Sequence, residues 1–86
     1  MEDAVTIRRK RLIFRSWHRG TREMDLLLGS FADKNIPAFS EAELDIYEQI
    51  LEYSDPDLYN WMTGKEAVPA NLENPVLERL KTHQFY

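Results

Sequence analysis

The sequence predicts an all-α protein, a compact five-helix bundle forming one small domain over residues 1–86. Three observations carry this reading. Apolar residues recur at three-, four- and seven-residue spacings along most of the chain, the period of a helix with one buried face. Stop and start signals cut the chain into short segments: Gly20 and Gly64 as terminators, Ser40-Glu41-Ala42-Glu43 as a cap, and Pro56 and Pro75 at helix starts. No segment shows the alternation expected of a half-buried strand.

Taken in order, residues from Val5 to His18 form the first helix, with Val5, Leu12, Ile13 and Trp17 as its apolar positions and Arg8, Arg9, Arg11 and Arg15 on other faces. Gly20 stops it, because glycine adopts the left-handed conformation at a helix end without the usual penalty. The second helix runs from about Thr21 to Lys34, with Met24, Leu27, Leu28 and Phe31 on one face, and Asn35-Ile36-Pro37 closes it. Ser40 and Glu43 have the spacing of a capping box, in which each side chain satisfies the other residue's backbone amide. The third helix then carries Leu44, Tyr47, Ile50 and Leu51. Asp55-Pro56 opens the fourth, with aspartate as the expected N-cap, and Gly64 ends it. After a loop from Lys65 to Glu73, Asn74-Pro75 starts a last helix bearing Val76, Leu77 and Leu80. The ordered core is expected over about 5–83, with fraying at both ends and the Phe85-Tyr86 pair left undecided.

Size and composition narrow the function. A chain of 86 residues and 10.2 kDa rarely has room for both a core and a closed substrate cavity. The absence of cysteine excludes disulfides and cysteine-ligated zinc, and His18 and His83 stand too far apart in sequence to suggest a metal site. No apolar run reaches the ~20 residues of a membrane span. Charge is uneven: residues 1–22 carry a net +5, whereas residues 23–86 carry −9. The acidic start Met1-Glu2-Asp3 argues against a transit peptide, and no apolar segment follows to make a secretory signal. A bacterial cytoplasmic protein is expected, or a mitochondrial matrix protein whose targeting peptide has been removed.

Three features are candidate sites. The run Arg8-Arg9-Lys10-Arg11 offers phosphate neutralisation and so a nucleic-acid-binding or antitoxin-like regulatory role, but an acidic chain with a sequence pI near 5.1 suits that role poorly. The corner Arg19-Gly20-Thr21-Arg22-Glu23 joins two helices and gathers His18, Arg19, Arg22, Glu23 and Asp25 on one tight hinge. A cation after one helix and a carboxylate at the start of the next suit the two helix dipoles, and the corner also offers both signs of charge to a partner. It contains no nucleophile and no metal cage, so an enzyme is not expected. The aromatics mostly have core spacing, but Tyr59 and Trp61 on one short helix are not both expected to be buried, which makes them secondary contact candidates together with Arg15.

The corner carries a resemblance. Arg19-Gly20-Thr21-Arg22-Glu23 matches the R-G-x-x-E pattern of the succinate dehydrogenase flavinylation and assembly factors. Arg11-Leu12-Ile13-Phe14 before it, and Met24-Asp25-Leu26-Leu27-Leu28 with Phe31-Ala32 after it, are similar to that family's first two helices. Tyr47-Glu48-Gln49-Ile50-Leu51, Asp55-Pro56-Asp57-Leu58-Tyr59-Asn60-Trp61-Met62-Thr63-Gly64 and Asn74-Pro75-Val76 follow in the right order, so the likeness spans about residues 8–83. It implies a five-helix bundle, a monomer when free, that binds the flavoprotein subunit of succinate dehydrogenase or fumarate reductase and promotes covalent attachment of FAD to a histidine of that subunit. In that picture the chemistry belongs to the partner and its flavin, no cofactor is held stably by this chain, and no membrane insertion or nucleic acid is involved. Arg19, Gly20 and Glu23 take the three defining positions of the docking surface, with His18, Arg22 and Asp25 beside them. His18 stands where the family usually has a basic residue, and polar Thr21 and charged Arg22 depart from the usual hydrophobic character at the variable positions.

Overall fold

Asp3 opens the first helix: in extended backbone, its carboxylate accepts a hydrogen bond from the Thr6 amide at 2.7 Å. The computed structural model describes residues 2–83, so the Phe85-Tyr86 pair lies outside the described residues. It contains five α-helices: α1 (Ala4–Trp17), α2 (Arg22–Asn35), α3 (Glu41–Ile50), α4 (Asp55–Thr63) and α5 (Pro75–Lys81). Short 3-10 turns cover Ile36–Ala38 and Ala70–Leu72, and there is no strand among the described residues.

The caps are mostly those the sequence announces. Thr21 caps α2 by accepting from the Met24 amide, and the Ser40–Glu43 capping box forms in both directions at the start of α3. Asn74 caps α5, and Gly64 ends α4 in the left-handed conformation at φ 80°. One expectation is corrected. Ser54, not Asp55, caps α4 by accepting from the Asp57 amide at 3.3 Å, and Asp55 is already the first helical residue. The Asp55 carboxylate serves the corner between α1 and α2 instead.

Helices α1 and α2 run back along each other: Trp17 meets Gly29 and Asp33 of α2, while Arg9 reaches the Phe39 carbonyl beyond its far end. The approach at Gly29 is close. A Cβ built there would lie 2.1 Å from Cδ2 of Trp17, so only glycine admits the indole at this distance. Leu28, Phe31, Ile36, Leu44, Tyr47, Leu58, Val76 and Leu80 are fully buried and join all helices except α1. Leu12 adds α1 to this core. Each such side chain stabilises the fold by about 2 kcal/mol through removal from water. Phe31, Phe39 and Tyr47 form an aromatic centre with ring centroids 5.7 to 6.3 Å apart.

The structure adds features the periodicity does not announce. On α1 only Leu12 and Ser16 are buried, while Val5, Ile13 and Trp17 are half-buried. The Ser16 hydroxyl donates to the Leu12 carbonyl at 2.7 Å, so its 2.6 Å contact with the Tyr47 hydroxyl has tyrosine as donor. Burial pushes the Tyr47 phenol up to about 12. The loop before α5 is anchored by Val68, which is buried.

Candidate partner-docking site

Three constraints build the corner between α1 and α2. α1 ends at its C-cap His18, whose backbone amide donates to the Arg15 carbonyl, and the chain then turns through Gly20 at φ 117°. That value belongs to the left-handed region, which favours glycine. One carboxylate oxygen of Asp25, in the first turn of α2, accepts from the backbone amides of Arg19 at 2.6 Å and Gly20 at 3.3 Å. The corner is thus clasped from inside by the helix that follows it.

Arg19 is the largest departure from what the sequence suggests. Its side chain does not sit over the carbonyls of its own helix and does not project from the corner. It turns inward, 14% exposed, to the segment joining α3 and α4. Nη1 donates to the Leu51 carbonyl at 2.6 Å, Nη2 to the Tyr53 carbonyl at 2.9 Å, and Nε to Asp55 Oδ1 at 2.9 Å. Guanidinium has the fixed fork that such simultaneous contacts need. Arg19 therefore fixes the corner against α4 from beneath.

What remains outside is Gly20, Thr21, Arg22 and Glu23, all exposed. A Cβ at Gly20 would meet nothing within 4 Å, so the backbone here faces open space. A broad, open hollow of about 520 Å³ is lined by Trp17, His18, Gly20, Thr21, Arg22, Asp25 and Leu26. A narrower apolar one of about 220 Å³ lies between Glu23, Leu26, Leu27, Tyr59 and Thr63. Leu26 belongs to both, so the two hollows form one surface with Glu23 and Tyr59 on it.

The secondary candidates separate. Tyr59 is half-buried on this surface, with Lys65 Nζ 5.0 Å from its ring centroid. Trp61 is buried and packs edge-on against Tyr53, so it offers no outward ring. Arg15 is ion-paired with Glu52, in the turn after α3, at 2.8 Å.

The basic run on α1 is largely engaged by carboxylates and carbonyls. Arg8 pairs with Asp45 and Glu48 of α3, Lys10 with Glu2, and Arg9 donates to the Phe39 carbonyl. The +5 of residues 1–22 is thus neutralised in part by the acids of α3, which leaves fewer cations for phosphates than the sequence suggests.

Two contact-capable residues escape the sequence reading as site members. Leu26 is 40% exposed and Phe14 is 62% exposed, its ring stacked on His18 with centroids 3.9 Å apart. A helical wheel signals Phe14: it stands two residues after buried Leu12 and so about 200° around the helix from it. Among the described residues there is no group of three potential metal ligands, and no helix is long and apolar enough to cross a membrane.

Fold and corner together define a class: a small all-α chain whose most polar junction is held rigid from inside and presented to solvent outside. A family profile described as "flavinator of succinate dehydrogenase" matches residues 10–84. The chain belongs to this family. The FAD assembly factor SdhE of Acetobacter pasteurianus is 42% identical over 79 residues, covering 92% of this chain and 72% of the relative. The mitochondrial succinate dehydrogenase assembly factor 2 of Dictyostelium discoideum is 44% identical over 75 residues, covering 87% of this chain and 53% of the relative. Its counterpart in Drosophila grimshawi is 39% identical over 83 residues, covering 94% of this chain and 56% of that protein. The chain thus spans about half the length of these two mitochondrial relatives.

Proposed function

We propose that this protein is an assembly factor that binds the flavoprotein subunit of succinate dehydrogenase, or of fumarate reductase, and promotes covalent attachment of FAD to that subunit. The observation that carries the reading is the outward face of the motif in a member of this family. Gly20 offers bare backbone with no neighbour in the way of an approaching surface, and exposed Glu23 stands one helical turn further on. A preorganised, side-chain-free turn loses little entropy on docking.

In this reading the chain is a helper and not an enzyme, and the flavin stays with the partner. Trp61, a natural platform for a fused ring system, is buried against Tyr53 and turns no face outward. The factor acts as a monomer in the bacterial cytoplasm, or in the mitochondrial matrix if the chain is a processed eukaryotic form.

The experiment is coexpression of the flavoprotein subunit with wild-type factor, Glu23→Ala or Gly20→Arg, followed by flavin fluorescence on the denatured subunit. Several-fold less covalent flavin with either variant, at unchanged helical circular dichroism, is expected. Equal flavin in all three samples would sink the proposal.

A further inference from the structure

Seven cations lie in residues 1–22, and the fold sorts them. Arg8, Lys10, Arg15 and Arg19 are ion-paired, and Arg9 is bonded to a carbonyl. Arg11 and Arg22 have no ion pair among the described residues, and both are exposed. They are not scattered. Arg11 lies one turn before Phe14 on α1, Phe14 lies one turn before His18, and His18 and Arg22 line the same hollow.

Between these cations stands apolar surface that the bundle leaves uncovered. Ile7, Phe14 and Leu26 are the large hydrophobic residues exposed among the described ones. Ile7, Arg11, Phe14 and His18 follow the i, i+4, i+7, i+11 spacing of a single helix face. Phe14 is held in place. The His18 ring stacks on it at an interplanar angle of 17°, while His18 Nδ1 is hydrogen-bonded to the Phe14 carbonyl at 2.7 Å. An exposed aromatic fixed in one orientation has already lost the rotamer freedom that binding would otherwise cost. Leu26 lines the same hollow as His18.

We propose that the docking surface is larger than the motif corner and continues along α1 as a basic and apolar strip, Ile7–Arg11–Phe14–His18. Its occupant is an acidic segment of the partner protein that seats an apolar side chain between the Phe14–His18 stack and Leu26. The proposal rests on the docking reading of the corner, and it extends that reading by naming the chemistry of the partner's surface. Charge complementarity decides the occupant: Arg11 and Arg22 are left over after internal pairing and lie along this surface, whereas Asp45, Glu48 and Glu52 already answer Arg8 and Arg15. A second copy of this chain would bring a like-charged strip against the first and is disfavoured.

The test measures affinity for the purified flavoprotein subunit by titration calorimetry or interferometry, with wild type, Phe14→Ala, Arg11→Glu, Leu26→Ala and Glu23→Ala compared. Phe14→Ala is expected to weaken binding about tenfold, as truncation of an aromatic interface anchor does. Wild-type affinity is expected to fall between roughly 50 and 300 mM salt as surface charges are screened, and Arg11→Glu to bind more weakly with a flatter salt dependence. Unchanged circular dichroism is expected for Phe14→Ala and Arg11→Glu, because neither side chain is buried. Binding within twofold of wild type for both, while Glu23→Ala binds poorly, overturns the strip and leaves the corner standing. Wild-type binding by Glu23→Ala as well removes the docking reading itself. Self-association of the wild type that Phe14→Ala abolishes, with no effect of Phe14→Ala on partner affinity, assigns the strip to a second copy and overturns the proposal.

Discussion

Arg19 and Asp55 meet beneath the corner, with Nε and Nη2 of the arginine on one carboxylate oxygen at 2.9 and 2.7 Å, although 36 residues separate them. Two main-chain carbonyls, of Leu51 and Tyr53, take the remaining contacts of the same guanidinium. Removing the arginine leaves a partly buried carboxylate and two carbonyls without their donor. Arg19→Ala is therefore expected to lower unfolding stability by roughly 3 kcal/mol. Arg19→Lys keeps the charge but loses the fork, and is expected to cost about half as much. Urea titration of the two variants checks the order, and a loss below about 0.5 kcal/mol for alanine would contradict the clamp.

Neighbouring residues at the start of α4 are expected to fail in different ways. Ser54→Ala removes a helix cap and costs about 1 kcal/mol. Asp55→Ala removes the partner of Arg19, and its cost should shrink strongly in an Arg19→Ala background, whereas the Ser54→Ala cost should not. A double-mutant cycle in denaturant reads both couplings.

Gly29 reverses an ordinary expectation. Glycine to alanine inside a helix usually stabilises by about 1 kcal/mol. Here the new methyl carbon would lie 2.1 Å from Cδ2 of Trp17 and 2.5 Å from Cε2 and Cε3, atoms of a rigid ring. Overpacking of this kind costs about 1–3 kcal/mol and outweighs the propensity gain. Gly29→Ala is expected to lower Tm, and Gly29→Ala with Trp17→Leu to recover part of the loss; a higher Tm for the single variant would refute the contact.

Ser16 and Tyr47 form a buried pair with an unequal dependence. Ser16→Ala leaves the fully buried Tyr47 hydroxyl without its acceptor, at a cost of roughly 2 kcal/mol. Tyr47→Phe leaves Ser16 still donating to Leu12 and is expected to cost about 1 kcal/mol. Ultraviolet titration should show Tyr47 ionising only near pH 12.

His83 sets a pH dependence. It packs edge-on against Phe31, bonds Ser30 through Nε2 at 2.8 Å, and is held below its ordinary value of 6.5 by burial and by the nearby Lys34 charge. The unfolded chain takes up a proton near pH 6.5 that the folded chain resists, so this contribution is complete above that pH and is lost as pH falls through the folded value. The cap carboxylates Asp3 and Glu43, lowered by the backbone amides they accept from, lose theirs below the ordinary carboxylate range as they protonate. Tm should fall as pH is lowered from 7 to 3, and His83→Gln should flatten the part of the fall that begins near pH 6.5.

Much of this architecture is legible because helix ends are written locally. Ser40 with Glu43, Asn74 with Pro75, and Gly64 each act within a few residues of themselves. The same locality misleads at Ser54-Asp55, where two good capping residues stand side by side: Ser54 takes the cap, and Asp55 bonds Arg19, 36 residues away. Arg19 misleads for the same reason: its spacing places it at a helix end, but long-range packing gives it carbonyl acceptors in the segment between α3 and α4. Phe14 and Val68 show the converse. An aromatic on a helix and a valine in a loop have the composition of core and surface respectively; the helical wheel already turns Phe14 away from Leu12, whereas only the packed bundle buries Val68.

The inward turn of Arg19 separates two kinds of loss that would look alike in a cell. Under the proposed docking role, a factor with Glu23 changed is expected to accumulate normally and to reach its target unable to engage it. With Arg19 changed, the unfolded fraction rises, quality-control proteases remove it, and the target goes unserved because too little factor survives. A blot for the factor itself tells these apart before any flavin is measured. Extra gene dosage should repair the arginine defect and leave the glutamate defect as it was.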